Sequence, residues 1–127
     1  HTPEIIAKII SHRPMNNLEK LVKDILIKNN LKFTYQFYLN RNGIIKSYDF
    51  RIKNILIEID GDYYHGGPNC KKHFFKLDEV KINDKLKNTL AKENGFQLIR
   101  IWESEIKANP NIIIERINGS IQTIPGI

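Results

Sequence analysis

Cysteine is almost missing from this chain of 127 residues: Cys70 stands alone. One cysteine excludes an intrachain disulfide framework and a zinc cluster built on paired cysteines. It suits a reducing, cytoplasmic setting. Long apolar runs are missing too, since none approaches the roughly 18 residues of a membrane span, and no membrane partner is expected. The first residues lack the charged-then-apolar layout of a signal peptide. The chain opens on His1 rather than Met and reads as a piece of a larger protein. It contains no internal repeat, no low-complexity linker and no recognisable helix-turn-helix or zinc finger. What is present fits one domain over residues 1–127, with 41% hydrophobic residues to build a core.

Charge is unbalanced. Twenty Lys and Arg stand against fourteen Asp and Glu, a formal net charge of +6. A basic domain is drawn to polyanions, of which nucleic acid is the usual one; a merely solvated basic surface is the plain alternative.

Residues 1–15 carry little pattern, with a short helix expected over residues 4–10. From Leu18 the apolar positions Leu18, Leu21, Val22, Ile25 and Leu26 mark one face of a helix. Asn16 or Asn17 caps it, and Asn29 and Asn30 end it. Residues 32–39 alternate, with Phe33, Tyr35, Phe37 and Leu39 expected on one face of a strand. Asn40-Arg41-Asn42-Gly43 supplies turn chemistry. A second strand follows over residues 44–50 and, after Lys53-Asn54, a third over residues 55–60. Residues 61–79 read as a polar loop. Residues 80–94 read as a helix with Ile82, Leu86 and Leu90 on one stripe and Gly95 as its stop. A fourth strand covers residues 96–102, and Asn109-Pro110 starts a last helix before a loose tail from Gly119. This order predicts an α/β sandwich with a mixed sheet, the fourth strand joining a central one in parallel after a helical crossover.

The candidate chemistry is acidic. Asp49 lies near the end of the second strand, between Tyr48 and Phe50. On the third strand, period two puts Glu58 and Asp60 on one face and Ile55, Ile57 and Ile59 on the other. Carboxylates on a central strand are paired, hydrogen bonded or bound to metal. An antiparallel neighbour brings Asp49 beside them, where a hard cation such as Mg²⁺ would relieve the repulsion; a solvated edge is the alternative. His65 follows Asp60 closely, and an imidazole there would take a proton from water. Glu19 fits a capping box with Asn16. Asp84, with Lys87 three residues on, fits a surface ion pair. His65, Cys70 and His73 offer a zinc set that lacks a fourth ligand. Lys46, Arg51, Lys53, Lys71, Lys72, Lys81, Lys85, Lys87 and Lys92 are the cations available to a phosphate backbone.

The segments Tyr48-Asp49-Phe50, Ile57-Glu58-Ile59-Asp60-Gly61-Asp62-Tyr63-Tyr64-His65, Asn83-Asp84-Lys85 and Gly95-Phe96-Gln97-Leu98-Ile99-Arg100-Ile101-Trp102-Glu103 resemble the very-short-patch repair endonucleases. They also resemble the related phage homing endonucleases with an E-D-x-H-D pattern, within the PD-(D/E)xK nuclease superfamily. The resemblance covers residues 17–106. It implies a restriction-endonuclease-like core, a mixed four-stranded sheet flanked by helices in the order α-β-β-β-α-β-α. It implies a Mg²⁺-dependent endonuclease on double-stranded DNA, with Mn²⁺ as a substitute metal. Glu19 takes the place of the first-helix acid, Asp49 of the metal-binding Asp, and Ile59 of the variable position whose carbonyl serves the metal. His65 takes the place of the general base, and Asp84 of the acid that orients it. Two departures matter. The repair enzymes carry a His where this chain has Asp60, and a zinc site this chain cannot complete. The usual Lys two positions after the second acid is missing, because Glu58 is followed by Asp60. These departures point to the homing enzymes rather than to mismatch repair. They leave Glu58 and the Ile59 carbonyl as alternative metal ligands. A catalytically silent nucleic-acid-binding module and a basic protein-interaction domain are the rival readings.

Overall fold

The computed structural model describes residues 14–61 and 77–123. The helix expected over residues 4–10 lies outside them, as do His65, Cys70, Lys71, Lys72 and His73.

The first helix, α1, spans Asn17–Lys28. Asn16 caps it: its side chain accepts from Glu19 N at 2.8 Å, and Glu19 Oε1 accepts from Asn16 N at 3.2 Å. The reciprocal bonds satisfy two of the donors a helix start leaves bare. Glu19, Val22 and Leu26 form its buried stripe. Asn30, at φ 57°, turns the chain out, and Leu31 N donates back to Leu26 O at 3.0 Å.

Strands β1 (Thr34–Arg41), β2 (Ile44–Ile52) and β3 (Ile55–Asp60) follow, then α2 (Leu77–Glu93), β4 (Gln97–Trp102), α3 (Glu103–Ala108) and α4 (Ile112–Thr123). The sheet order is β1-β2-β3-β4. The first two pairings are antiparallel, and β3 and β4 pair in parallel after the α2 crossover. The mixed four-stranded sheet and the crossover are thus as expected. Asn42 (φ 51°) and Gly43 (φ 86°) close the β1–β2 hairpin with two positive φ angles, as a type I′ turn requires. Gly95, at φ 79°, stops α2.

Beyond shifts of one or two residues at strand ends, three features differ from the expectation. Helix α2 begins at Leu77, inside the segment read as loop, with Asp78 and Glu79 in its first turn where the helix dipole favours acid. Two helices follow β4 rather than one, with Pro110 between them. Gly119 lies inside α4, not in a loose tail, because Ile113 and Ile117 bury that helix against the sheet. The α2 stripe also differs: Leu90 is buried, but Ile82 is 71% exposed.

The sheet buries both faces. Phe50, Ile52, Ile55, Ile57, Ile99 and Ile101 pack with Val22 and Leu26 of α1, Ile106 of α3, and Ile113 and Ile117 of α4. Tyr48, Leu56 and Ala91, with Phe37, Leu39, Phe96 and Leu98, fill the α2 side. The alternation expected in β1 therefore breaks. Phe33 and Tyr35 lie against Phe50, at ring-centroid distances of 5.6 and 5.4 Å, whereas Phe37 and Leu39 lie on the opposite face. The cause is Gln36, whose φ of 55° turns the following chain over. β2 reverses in step: Tyr35 pairs with Phe50 and Phe37 with Tyr48, yet Phe50 and Tyr48 serve different clusters. The pivot of that reversal on β2 is Asp49. A left-handed residue with a Cβ costs roughly 1–2 kcal/mol, so the fold maintains a strained pivot beside a candidate acid.

Candidate active site

The pairing of β2 with β3 runs through Ile52–Ile55, Arg51–Leu56 and Phe50–Ile57. One step further, side chains take over from the ladder. Glu58 Oε1 accepts from Asp49 N at 3.0 Å, and Asp49 Oδ2 accepts from Ile59 N at 2.7 Å. The two crossed bonds fill the gap where the strands part. They also hold two carboxylates side by side, with the Ile59 backbone beside them. Burial and the neighbouring Glu58 push the Asp49 carboxyl up to about 7; the Ile59 N–H and the Lys87 charge pull the other way.

Glu58 is 5% exposed. Its Oε2 receives Lys87 Nζ at 2.8 Å from α2, and the same ammonium sits 5.4 Å from the Tyr48 ring centroid. Burial still raises the Glu58 carboxyl, with Lys87 as the main opposing influence. Burial and the Glu58 charge also lift the Tyr48 phenol to about 12, and its hydroxyl donates to Lys87 O at 2.8 Å. The ion pair expected between Asp84 and Lys87 is therefore replaced. A buried carboxylate gains more from a counter-charge than a surface one does, and Lys87 turns inward to Glu58.

Asp60 is 2% exposed and turned to Arg100, whose Nη1 lies 3.0 and 3.3 Å from its two oxygens. The same Nη1 is 3.4 Å from Asp84 Oδ1, Nη2 donates to Asp84 O at 3.1 Å, and Nε donates to Asn88 Oδ1 at 3.1 Å. Arg100 of β4 thus ties β3 to α2. On the other side of the sheet, Glu19 is 2% exposed, and its Oε2 accepts from Tyr35 OH at 3.0 Å. Tyr35 OH in turn accepts from Gln36 Nε2 at 3.1 Å. The Glu19 charge reaches Asp49 and adds to what raises it.

Asp49, Glu58 and the Ile59 backbone are brought together, and Glu19 acts on them from α1. Asp60 and Asp84 share Arg100 instead. Among the described residues, no three His, Cys, Asp or Glu side chains gather tightly enough to hold a metal ion by themselves. His65 lies outside the described residues, so its expected place beside Asp84 is untouched by these distances. Lys87 is the residue that reading by sequence misplaced. Its signal was the missing Lys after Glu58 together with its position on α2, three and four residues before the buried Leu90 and Ala91. Gln36 gave no signal, because strict alternation hides a pivot.

The cations divide. Lys81, Lys85 and Lys92 are exposed along α2. Arg51 is not free for phosphate: its guanidinium lies 4.6 and 4.8 Å from the Phe37 and Phe96 ring centroids, and its Nε donates to Lys53 O at 2.7 Å. Lys46 reaches Asn83 Oδ1 at 2.6 Å. Among the described residues, no helix is long and apolar enough to cross a membrane. Compared with protein-family models and with curated proteins, the chain finds no match.

Proposed function

We propose that this domain is a Mg²⁺-dependent endonuclease hydrolysing phosphodiester bonds in double-stranded DNA. We place it in the restriction-endonuclease-like fold, nearer the E-D-x-H-D homing enzymes than the mismatch-repair enzymes. The observation that carries the reading is the crossed pair at the fork of β2 and β3. Asp49 and Glu58 are locked side by side, and Lys87 stands in for the lysine that the strand lacks.

The donor set fits a hard divalent cation. Asp49 is half-buried beside the buried Glu58, desolvation and the Glu58 charge raise its carboxyl, and Mg²⁺ is commonly held by one or two carboxylates, its own waters and substrate phosphate. Asp49 would hold it with Glu58 or the Ile59 carbonyl. When bound, it would polarise the scissile phosphate and offset its developing negative charge. Lys87 opposes the effect of burial on Glu58 and places a positive charge at the same point. His65, by the resemblance alone, accepts a proton from the attacking water at a ring nitrogen, and Asp84 orients that ring. The water oxygen bonds to phosphorus as one ester P–O bond breaks. The exposed α2 lysines Lys81, Lys85 and Lys92 meet the phosphate backbone.

A second reading is a silent nucleic-acid-binding module. The internal pairing of Glu58 with Lys87 and Asp60 with Arg100 favours it. Supercoiled plasmid separates the two. The nuclease reading expects relaxed or linear product with Mg²⁺, none with EDTA, and none from a folded Asp49→Ala protein. Intact plasmid under both Mg²⁺ and Mn²⁺, with binding retained, would establish the silent module.

A further inference from the structure

Gln36 is a residue for which the sheet pays without visible return. It is 2% exposed and adopts a left-handed φ of 55° inside a strand. Asn or Gly takes that conformation with less strain, so backbone geometry alone does not account for a glutamine here. It stands opposite Asp49, between the Tyr35–Phe50 and Phe37–Tyr48 pairs.

The orientation of its amide is set by a chain of bonds. Tyr35 OH donates to the Glu19 carboxylate, so its lone pair is what meets Gln36, and Gln36 must present Nε2 there. Oε1 is left buried and without a hydrogen-bond partner among the described residues. A buried acceptor without a donor is rare in folded proteins and calls for an explanation.

We propose that Gln36 is a positioning residue of the metal site: its Oε1 receives a hydrogen bond from a water in the shell of a divalent cation at Asp49 and Glu58. This rests on the reading of that site as a metal site. A Mg²⁺ held by few protein ligands keeps several waters, and each of those waters needs acceptors. Asp49 Oδ2 and both oxygens of Glu58 already accept protein donors. Gln36 adds a neutral acceptor, and Tyr35 and Glu19 hold its amide in one orientation. Glu19 thereby acts on the site through Gln36 as well as through its charge.

The test is Gln36→Met, unbranched and of similar length but without an acceptor oxygen. Two readouts are paired: calorimetric titration of the metal-free protein with MgCl₂ alone, and thermal unfolding in EDTA. The expected result is Mg²⁺ affinity lowered about tenfold, as for outer-shell partners in other metal sites, with unfolding temperature unchanged or raised because a buried orphan acceptor is gone. Should Gln36→Met fail to fold, Gln36→Asn takes its place. It favours positive φ and keeps the carbonyl but draws it back by one methylene, and it should show the same loss. Wild-type protein that binds Mg²⁺, with Asp49→Asn abolishing binding and the Gln36 variant binding within twofold of wild type, overturns the role of Gln36 alone. Wild-type protein that binds no Mg²⁺, or Asp49→Asn that binds as wild type does, overturns the metal site and this inference with it.

Discussion

Replacing Asp49 by Asn is expected to stabilise the metal-free protein at neutral pH. Burial and Glu58 raise the Asp49 carboxyl from 3.8 to about 7. Below pH 4 the acid is protonated both folded and unfolded, and its contribution is fully present. Between pH 4 and 7 the unfolded chain releases a proton that the fold retains, so stability falls as pH rises, and the loss levels off above 7. At about 1.4 kcal/mol per pKa unit, the full penalty approaches about 4 kcal/mol. Relaxation at a site that is only partly closed reduces it to roughly 2–3 kcal/mol. Asn keeps the shape and an acceptor for Ile59 N while removing the charge. The wild-type and Asp49→Asn unfolding curves should therefore nearly coincide at pH 4. At pH 8 in EDTA they should separate by roughly 6–15 °C in favour of Asn. Millimolar Mg²⁺ should raise the wild type and leave Asp49→Asn where it was. Thermal unfolding followed by circular dichroism across pH 4–8 reads all three effects. The difference between the two proteins cancels the carboxylates remote from the site and leaves Asp49 with the neighbouring Glu58. A constant gap across that range, or an Asn variant less stable than wild type at pH 8, would refute the buried like-charge pair.

Lys87→Met should destabilise the fold by roughly 3 kcal/mol, because it leaves Glu58 buried without its partner. Denaturant titration measures this, and a double variant with Glu58→Gln should recover much of the loss. His65→Ala should lower the Mg²⁺-saturated cleavage rate by about 10²–10⁴-fold. It should also abolish the wild-type rise in rate between roughly pH 6 and 8; a rate within a few-fold of wild type would dismiss it as the base. DNA binding by this domain should weaken steeply with salt and ignore sequence. Charge-neutral substitution of Lys81, Lys85 and Lys92 should reduce the salt slope, and nanomolar site-specific binding at physiological salt would contradict this.

Local chemistry made much of the fold legible in advance. The Asn16–Glu19 capping box, the helical stripe through Val22 and Leu26, the positive-φ turn at Asn42-Gly43 and the Gly95 stop depend on neighbours a few residues away. The same residues therefore act alike in sequence and in space. The isoleucines of β3 faced the core as alternation required, and Glu58 and Asp60 took the other side. The parallel return of β4 followed from the crossover alone. Partner choice was different, because it is settled between elements far apart in the chain. Whether Lys87 serves Asp84 or Glu58 depends on how deeply the sheet buries Glu58, and whether Asp84 meets Lys87 or Arg100 depends on where β4 lies under α2. The pivot at Gln36 and Asp49 is likewise a tertiary decision. Two layers of helices compete for the side chains of one hairpin, and the backbone turns over where that competition changes sides. It does so at the residue that carries the candidate metal-binding carboxylate.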